Sequence, residues 1–202
     1  MLTAEIKGVL LTLDTDPALF SPSGVDKGTL AMLDITDFPA GGKVLDLGCG
    51  CGAVGILAAK LIGAENVVMC DIDPKAVAVS RENAERNGVA DVSIYQSDGL
   101  KDIPESGFAL ILSNPPYHTD FSVAKHFIED GFKRLCVGGR MVMVTKRLDW
   151  YKNKLTSVFG GVRVAERDGY FVFTAEKRGE SRPKPEKRKG GLSKKLARKK
   201  AH

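Results

Sequence analysis

Val44-Leu45-Asp46-Leu47-Gly48-Cys49-Gly50-Cys51-Gly52 decides the fold, because four residues of a buried strand run straight into a glycine turn. The apolar stretch Ala53–Leu61 then reads as a helix ended by Gly63. Downstream the pattern repeats. Strands are predicted at Val67–Cys70, Val92–Gln96, Phe108–Ser113 and Met141–Thr145. Helices are predicted at Pro74–Asn87, Ser122–Leu135 and Trp150–Phe159, with Gly138-Gly139 breaking the second of these. Two closing strands, Val162–Ala165 and Tyr170–Ala175, flank the turn Arg167-Asp168-Gly169. Upstream, Glu5–Leu13 reads as one strand, and Asp26 or Thr29 caps a short helix through Leu33. Alternating strands and helices with short connections imply an α/β fold, a parallel sheet covered on both faces and closed by a hairpin.

The chain has 202 residues, enough for one domain with a full core, and a formal net charge of +5. That charge is split. From Glu176 to His202 there are 12 Lys/Arg against 3 Glu, whereas residues 1–175 hold 18 cations against 22 anions. The expected organisation is therefore a domain over 1–175 and a basic, disordered tail over 176–202. In that tail Pro183, Pro185 and dense cations leave little to bury, and Leu192 and Leu196 make at most one helical turn. No run of 18 apolar residues and no basic-then-apolar leader is present, which predicts an unexported, cytoplasmic protein that spans no membrane. Cys49, Cys51, Cys70 and Cys136 suit a reducing compartment. Cys49 and Cys51 have no second pair or nearby histidine, so no metal is expected there.

Gly48, Gly50 and Gly52 fall where ligands bind open α/β sheets, beyond the carboxyl end of a strand. Without Cβ atoms the backbone can touch a ligand, and the helix from Ala53 offers N–H groups. The glycine pattern alone is shared with dinucleotide enzymes. Asp46 adds a carboxylate two residues before Gly48. Asp71 ends the second strand of the alternation, where an acid can accept both hydroxyls of a ribose. Asp98 ends the third, near the place of a base amino group, although beside Gly99 it also reads as turn chemistry. Asp73, before Pro74, reads as a helix cap.

Asn114-Pro115-Pro116-Tyr117 follows the fourth strand. Planar amino groups on bases and amides are poor nucleophiles because their lone pair is delocalised. The Asn114 side-chain oxygen and the Pro115 carbonyl can accept the two N–H bonds of such a group and favour a geometry that frees the lone pair. Pro115 and Pro116 lack N–H donors and stiffen the loop, which sets the acceptors in place. Tyr117 can stack on the base, worth about 1–3 kcal/mol. His118 is either a proton acceptor or an ordinary loop histidine. Cradle and clamp together suggest group transfer to an amino nitrogen.

Asp46-Leu47-Gly48-Cys49-Gly50-Cys51-Gly52, Asp71 and Asn114-Pro115-Pro116-Tyr117 together resemble class I S-adenosylmethionine-dependent methyltransferases of the methyltransferase-small group. The resemblance implies a Rossmann-like, seven-stranded, mostly parallel sheet with an antiparallel C-terminal strand. It implies S-adenosylmethionine as cofactor. Gly48, Cys49, Gly50 and Gly52 would lie along its methionine part, Asp71 at its ribose and Asp98 at its adenine, with Asp46, Ile72 and Asn114 also among the residues that bind it. It also marks N-methylation of adenine, guanine or glutamine. Phe20–Thr29, which includes Lys27, Gly28 and Thr29, resembles the stretch that approaches the pocket in the 16S ribosomal RNA guanine-N2 methyltransferases. Asn114–His118 and Gly169–Phe173 are similar to that group's loop and final strand. The implied partner is RNA, in 16S ribosomal RNA or the small subunit. Enterobacterial members carry a further N-terminal domain, so this chain looks like a compact single-domain form.

Rival readings remain on the sequence. A release-factor glutamine methyltransferase shares the clamp but carries a helical domain before the cradle, where about 40 residues of strand and turn stand here. An adenine-N6 methyltransferase of RNA or DNA shares the same motif. A nicotinamide dehydrogenase explains the glycines and leaves Asn114–Tyr117 without a role; a non-catalytic RNA-binding module leaves both without one. Lys146, Arg147, Trp150 and Lys152 follow the fifth strand. They read either as a phosphate-binding edge with a stacking aromatic, or as a solvated helix start with a core tryptophan.

Overall fold

The computed structural model describes residues 1–14, 25–116 and 121–180. The expectations placed on Phe20–Gly24, Tyr117, His118 and the Leu192–Leu196 turn lie outside those residues. The chain opens with a hairpin, β1 (Leu2–Ile6) and β2 (Val9–Leu13), where the alternation reads as one strand. Lys7 and Gly8 both take positive φ, 52° and 74°, and a two-residue turn with that geometry folds a strand back on itself. Helix α1 (Lys27–Ile35) follows, capped by Asp26 rather than Thr29: the Asp26 carboxylate accepts from the Thr29 N–H at 2.9 Å.

Next come β3 (Val44–Leu47), α2 (Ala53–Ile62), a 3-10 turn at Ala64–Asn66 and β4 (Val67–Asp71). Helix α3 (Pro74–Arg86) has Asp73 as its cap and Pro74 at its first position, and leads to β5 (Ser93–Gln96) and β6 (Phe108–Ser113). Then follow α4 (Ser122–Arg134), β7 (Leu135–Thr145), α5 (Leu148–Phe159), β8 (Arg163–Arg167) and β9 (Tyr170–Glu176). The seven-stranded sheet has the order β5-β4-β3-β6-β7-β9-β8, with β9 antiparallel to both β7 and β8. Strand order runs outward from β3 in both directions, which opens a crevice beyond the carboxyl ends of β3 and β6.

The reading of Gly138-Gly139 needs correction. Strand β7 begins at Leu135, directly after α4, and the two glycines lie inside it. The register against β6 slips there, from Phe108↔Leu135 to Leu110↔Arg140. Gly138 has φ 83°, and a Cβ on Gly139 would stand 2.6 Å from the Phe108 carbonyl, so these glycines permit a bulge rather than stop a helix. The buried Lys177 secures the same spot: its ammonium donates to the Leu135 carbonyl at 2.7 Å, and its backbone pairs with Gly138 and Gly139.

Successive strand residues face opposite sides of the sheet, and both sides are covered. Val44, Leu110, Leu112, Val142 and Val144 pack with α1, α2 and the hairpin. Leu45, Leu47, Ile111, Met141 and Met143 pack with Ile128, Phe132, Leu155 and Phe159 of α4 and α5. Near-continuous apolar strands are what a doubly covered parallel sheet requires. Asn83 of α3 and Asn87, which caps the end of that helix, tie the hairpin to this frame. Each side-chain amide both donates to and accepts from one backbone unit of the outgoing strand, Asp14 for Asn83 and Thr12 for Asn87, at 2.7–3.0 Å. Among the described residues, no helix is long and apolar enough to cross a membrane.

Candidate active site

The glycine turn is held from β4. The N–H groups of Gly48 and Cys49 both donate to the Cys70 carbonyl at 2.9 Å, and the Gly50 N–H donates to Asp71 Oδ2 at 2.9 Å. The other Asp71 oxygen accepts from the Asp73 N–H at 3.0 Å. Gly52 shows why the last glycine is needed: its φ is 87°, and a Cβ there would stand 2.7 Å from Met69 Cε. Gly50 differs. Its φ of 55° lies in the left-handed region that favours glycine, while a Cβ would meet only open space.

That space belongs to a cavity of about 380 Å³ beyond the ends of β3, β4, β5 and β6, inside the roughly 300–1,000 Å³ common to small-molecule sites. Asp46, Gly48, Cys49, Gly50, Asp71, Ile72, Asp98, Asn114, Pro115, Pro116 and Thr29 all line it. Gly52 sits behind it against Met69 and Ser80. Lys27, exposed, and Gly28, buried, lie in the first turn of α1 and off the cavity wall. Tyr117 falls outside the described residues. Val123 and Phe127 of α4 also line the cavity, and the Phe127 ring lies 3.7 Å from where a Cβ on Gly48 would stand.

Asp46 is buried, and its Oδ2 accepts from the Gly55 N–H at 2.8 Å, so it caps α2 from within. Burial pushes its carboxyl up to about 7; the Gly55 hydrogen bond opposes that rise, and the charge of Asp71 adds to it. Burial likewise raises the thiols of Cys49 and Cys51, and pushes Cys70 up to about 12, so all three stay protonated near neutrality. Asp98 is exposed and ion-paired with Lys101, and that contact holds its carboxyl below the usual range. Ser97, beside it, is bonded through its N–H to the Asp71 carbonyl at 2.9 Å, which sets the turn against β4. Among the described residues, no three His, Cys, Asp or Glu side chains gather where they would hold a metal ion.

A side-chain bond ties the clamp to the cradle: Ser113 Oγ, at the end of β6, donates to the Leu47 carbonyl at 2.8 Å, at the end of β3. Asn114 comes next. Its Nδ2 donates to Asp26 Oδ2 at 2.8 Å and to Thr29 Oγ1 at 3.0 Å. These contacts assign the amide: nitrogen toward α1, carbonyl oxygen on the opposite branch. Asp26 was legible in sequence as a helix cap and as part of the Phe20–Thr29 stretch, and not as the partner of Asn114. The bond it makes to Asn114 spans 88 positions, and nothing in the local pattern announces it.

Apolar walls, the acids Asp46 within β3 and Asp71 at the end of β4, and an open bend at Gly50 fit a nucleoside carrying an amino-acid arm. Comparison with known proteins agrees. A family model described as methyltransferase small domain matches residues 10–174. The uncharacterized protein YbxB of Bacillus subtilis is 33% identical over 172 residues, covering 82% of this chain and 86% of its own length. A protein of Chromohalobacter salexigens named ribosomal RNA small subunit methyltransferase C is 35% identical over 176 residues, covering 83% of this chain and 52% of its own. The chain thus spans about half the length of the relatives that bear that name. Among solved structures, the Thermus thermophilus 16S rRNA N2 G1207 methyltransferase, in complex with AdoMet and guanosine, superposes with a TM-score of 0.77 at 28% identity. That match covers 88% of this chain and 50% of the other.

Proposed function

The chain belongs to the methyltransferase small domain family, and from that premise we propose that it transfers a methyl group from S-adenosylmethionine to the exocyclic N2 of a guanine in 16S ribosomal RNA. S-adenosylmethionine supplies an electrophilic methyl group on a sulfonium. Asp71 is the residue to hold its ribose, with Ile72 beside it at the cavity rim. The glycine turn from Gly48 to Gly50 receives the amino-acid arm, and the Ser97–Gly99 turn with Asp98 receives the adenine.

The acceptor nitrogen is weakly nucleophilic, so the protein's contribution is placement. Asn114 Oδ1 and the Pro115 carbonyl accept the two N–H bonds of the amino group. They hold it at the cavity mouth in the orientation that points its lone pair inward. The single observation that carries this reading is the Asn114 amide pinned by Asp26 and Thr29, at the edge of the cavity that reaches the glycine turn. Stacking by Tyr117 completes the proposed grip.

The test is incorporation of labelled methyl groups into 16S RNA, stripped small subunits, DNA and release factor, followed by nucleoside analysis. The expected product is N2-methylguanosine in 16S RNA. N6-methyladenosine, or label in protein alone, overturns the assignment.

A further inference from the structure

Helix α3 packs against the glycine turn on the side away from the cavity. Ser80 crowds Gly52, where a Cβ would come within 3.1 Å of the serine Cβ, and Ser80 Oγ is turned back to the Val77 carbonyl at 2.9 Å. One turn along the helix, Asn83 Nδ2 donates to the Cys51 carbonyl at 2.9 Å. Cys51 lines the cavity, so this one residue links the cavity wall to a fully buried asparagine.

The Asn83 amide has all its polar capacity in use, and in a single orientation. Its second N–H donates to the Asp14 carbonyl at 3.0 Å, and its oxygen accepts from the Asp14 N–H and the Arg86 guanidinium, both at 2.7 Å. Exchanging oxygen and nitrogen would set Nδ2 against two donors and Oδ1 against two carbonyls. Asp14, which follows β2, thus fixes which way Asn83 points, although residues 1–14 stand off the cavity wall. Asn87 supplies the contrast at the end of the same helix. Its amide pairs with Thr12 in the same manner, but its other N–H goes to the Asn83 carbonyl and not to the turn.

Resting on the proposed seat of the donor's amino-acid arm along Gly48 to Gly50, we propose that Asn83 is a positioning residue for S-adenosylmethionine. It braces the peptide that leaves the glycine turn, and the N-terminal hairpin holds it to that task. The bend takes its shape locally, from the bonds of Gly48, Cys49 and Gly50 to Cys70 and Asp71. The Cys51 carbonyl is held by Asn83. A surface that is already held loses less freedom when its ligand arrives, so the brace strengthens binding without touching the ligand. Asn83 acts on the turn, whereas the acceptor nitrogen is gripped by Asn114 and Pro115. The effect therefore falls on cofactor affinity and spares the transfer step.

The test compares N83A with N87A by calorimetric titration of S-adenosylmethionine, thermal melting and methyl transfer to 16S RNA. Both variants cut a tie between the hairpin and α3, so both should melt several degrees below the wild type. N83A alone should raise the cofactor dissociation constant, by about fivefold to tenfold. Its transfer rate at saturating cofactor and RNA should stay within about twofold of the wild type. N87A should keep cofactor affinity within about twofold of the wild type. Should N83A fail to fold, hydrogen exchange in the wild type carries the test. Saturating S-adenosylmethionine should slow the Asp14 N–H, held by Asn83, several-fold more than the Thr12 N–H, held by Asn87. A wild type that binds the cofactor, with affinity changed alike in the two variants or exchange slowed alike at the two amides, overturns this inference alone. A wild type that binds no S-adenosylmethionine overturns the proposed function and this inference with it.

Discussion

The cradle at the end of β3 and the clamp at the end of β6 are neighbours in space but are built in opposite ways. The cradle is local: Asp46 bonds to Gly55 nine residues on, and Asp71 reaches Gly50 across one strand pair. The clamp is assembled at long range, with Asn114 oriented by Asp26 and Thr29, 88 and 85 positions earlier. The Ser113–Leu47 bond couples the two at the strand ends. A local motif can shape a binding surface by itself. An acceptor amide that must face one way needs a partner from another part of the chain.

The largest expected effect separates the two regions. Asn114→Ala removes the oriented oxygen and leaves the glycine turn intact. Transfer should fall by about 10²–10³-fold, as when an enzyme loses one aimed polar contact to the reacting group. The dissociation constant of S-adenosylmethionine should change by less than about threefold. Isothermal titration beside single-turnover kinetics reads both. A large loss of cofactor affinity with transfer preserved would place Asn114 in the cradle and dissolve the comparison.

A second test breaks the cradle's own electrostatics. The Asp46 carboxyl has its ordinary value, 3.8, when unfolded and about 7 when folded. A raised acid binds its proton more tightly in the folded state. It therefore contributes stability that is complete below about pH 3.8 and is lost progressively as pH rises to about 7. Asp46→Asn keeps an oxygen for the Gly55 N–H and removes the titration. Between pH 5 and 7 the wild type should lose about 2 kcal/mol more stability than the variant, at roughly 1.4 kcal/mol per pH unit. Urea denaturation across that range measures it, and parallel curves would contradict the buried, protonated carboxyl. A cation in the same cavity favours the ionised form, so cofactor affinity should rise as pH passes 7 in the wild type and stay level in the variant.

What the sequence makes legible follows the same division. The β3 strand, the glycine turn, Asp71 and the order of elements from Val44 onward are readable because period and punctuation are local signals. The seven-stranded sheet with its antiparallel β9 follows from the family resemblance. Misread elements are those where a local rule had two outcomes. Lys7-Gly8 turns one strand into a hairpin, and Gly138-Gly139 bends a strand that alternation starts only at Met141. Asp46 is legible as a cavity acid, but its bond to Gly55, which makes it an internal helix cap, depends on how α2 leaves the turn. Trp150 and Arg147 are visible as an aromatic and a cation. Their stacking through Phe121 depends on the packing of α4 against α5.

The smallest expected effect bears most directly on how the clamp is oriented. Asp26 has two tasks at one oxygen, capping α1 through the Thr29 N–H and holding the Asn114 amide. Asp26→Ala removes both, and a stability loss of about 1 kcal/mol from the missing cap would blur the result. Asp26→Ser separates them. Serine is a good cap, but its shorter side chain carries no carboxylate to reach toward Asn114. Stability should therefore stay within about 0.5 kcal/mol of the wild type, while transfer at saturating substrate falls by about tenfold as the amide loses its fixed orientation. Asp26→Asn keeps an acceptor oxygen of the right length and should recover most of that rate. If Asp26→Ser melts like the wild type and also transfers like it, the orientation of Asn114 does not depend on Asp26, and the Thr29 hydroxyl and the loop itself suffice to hold it.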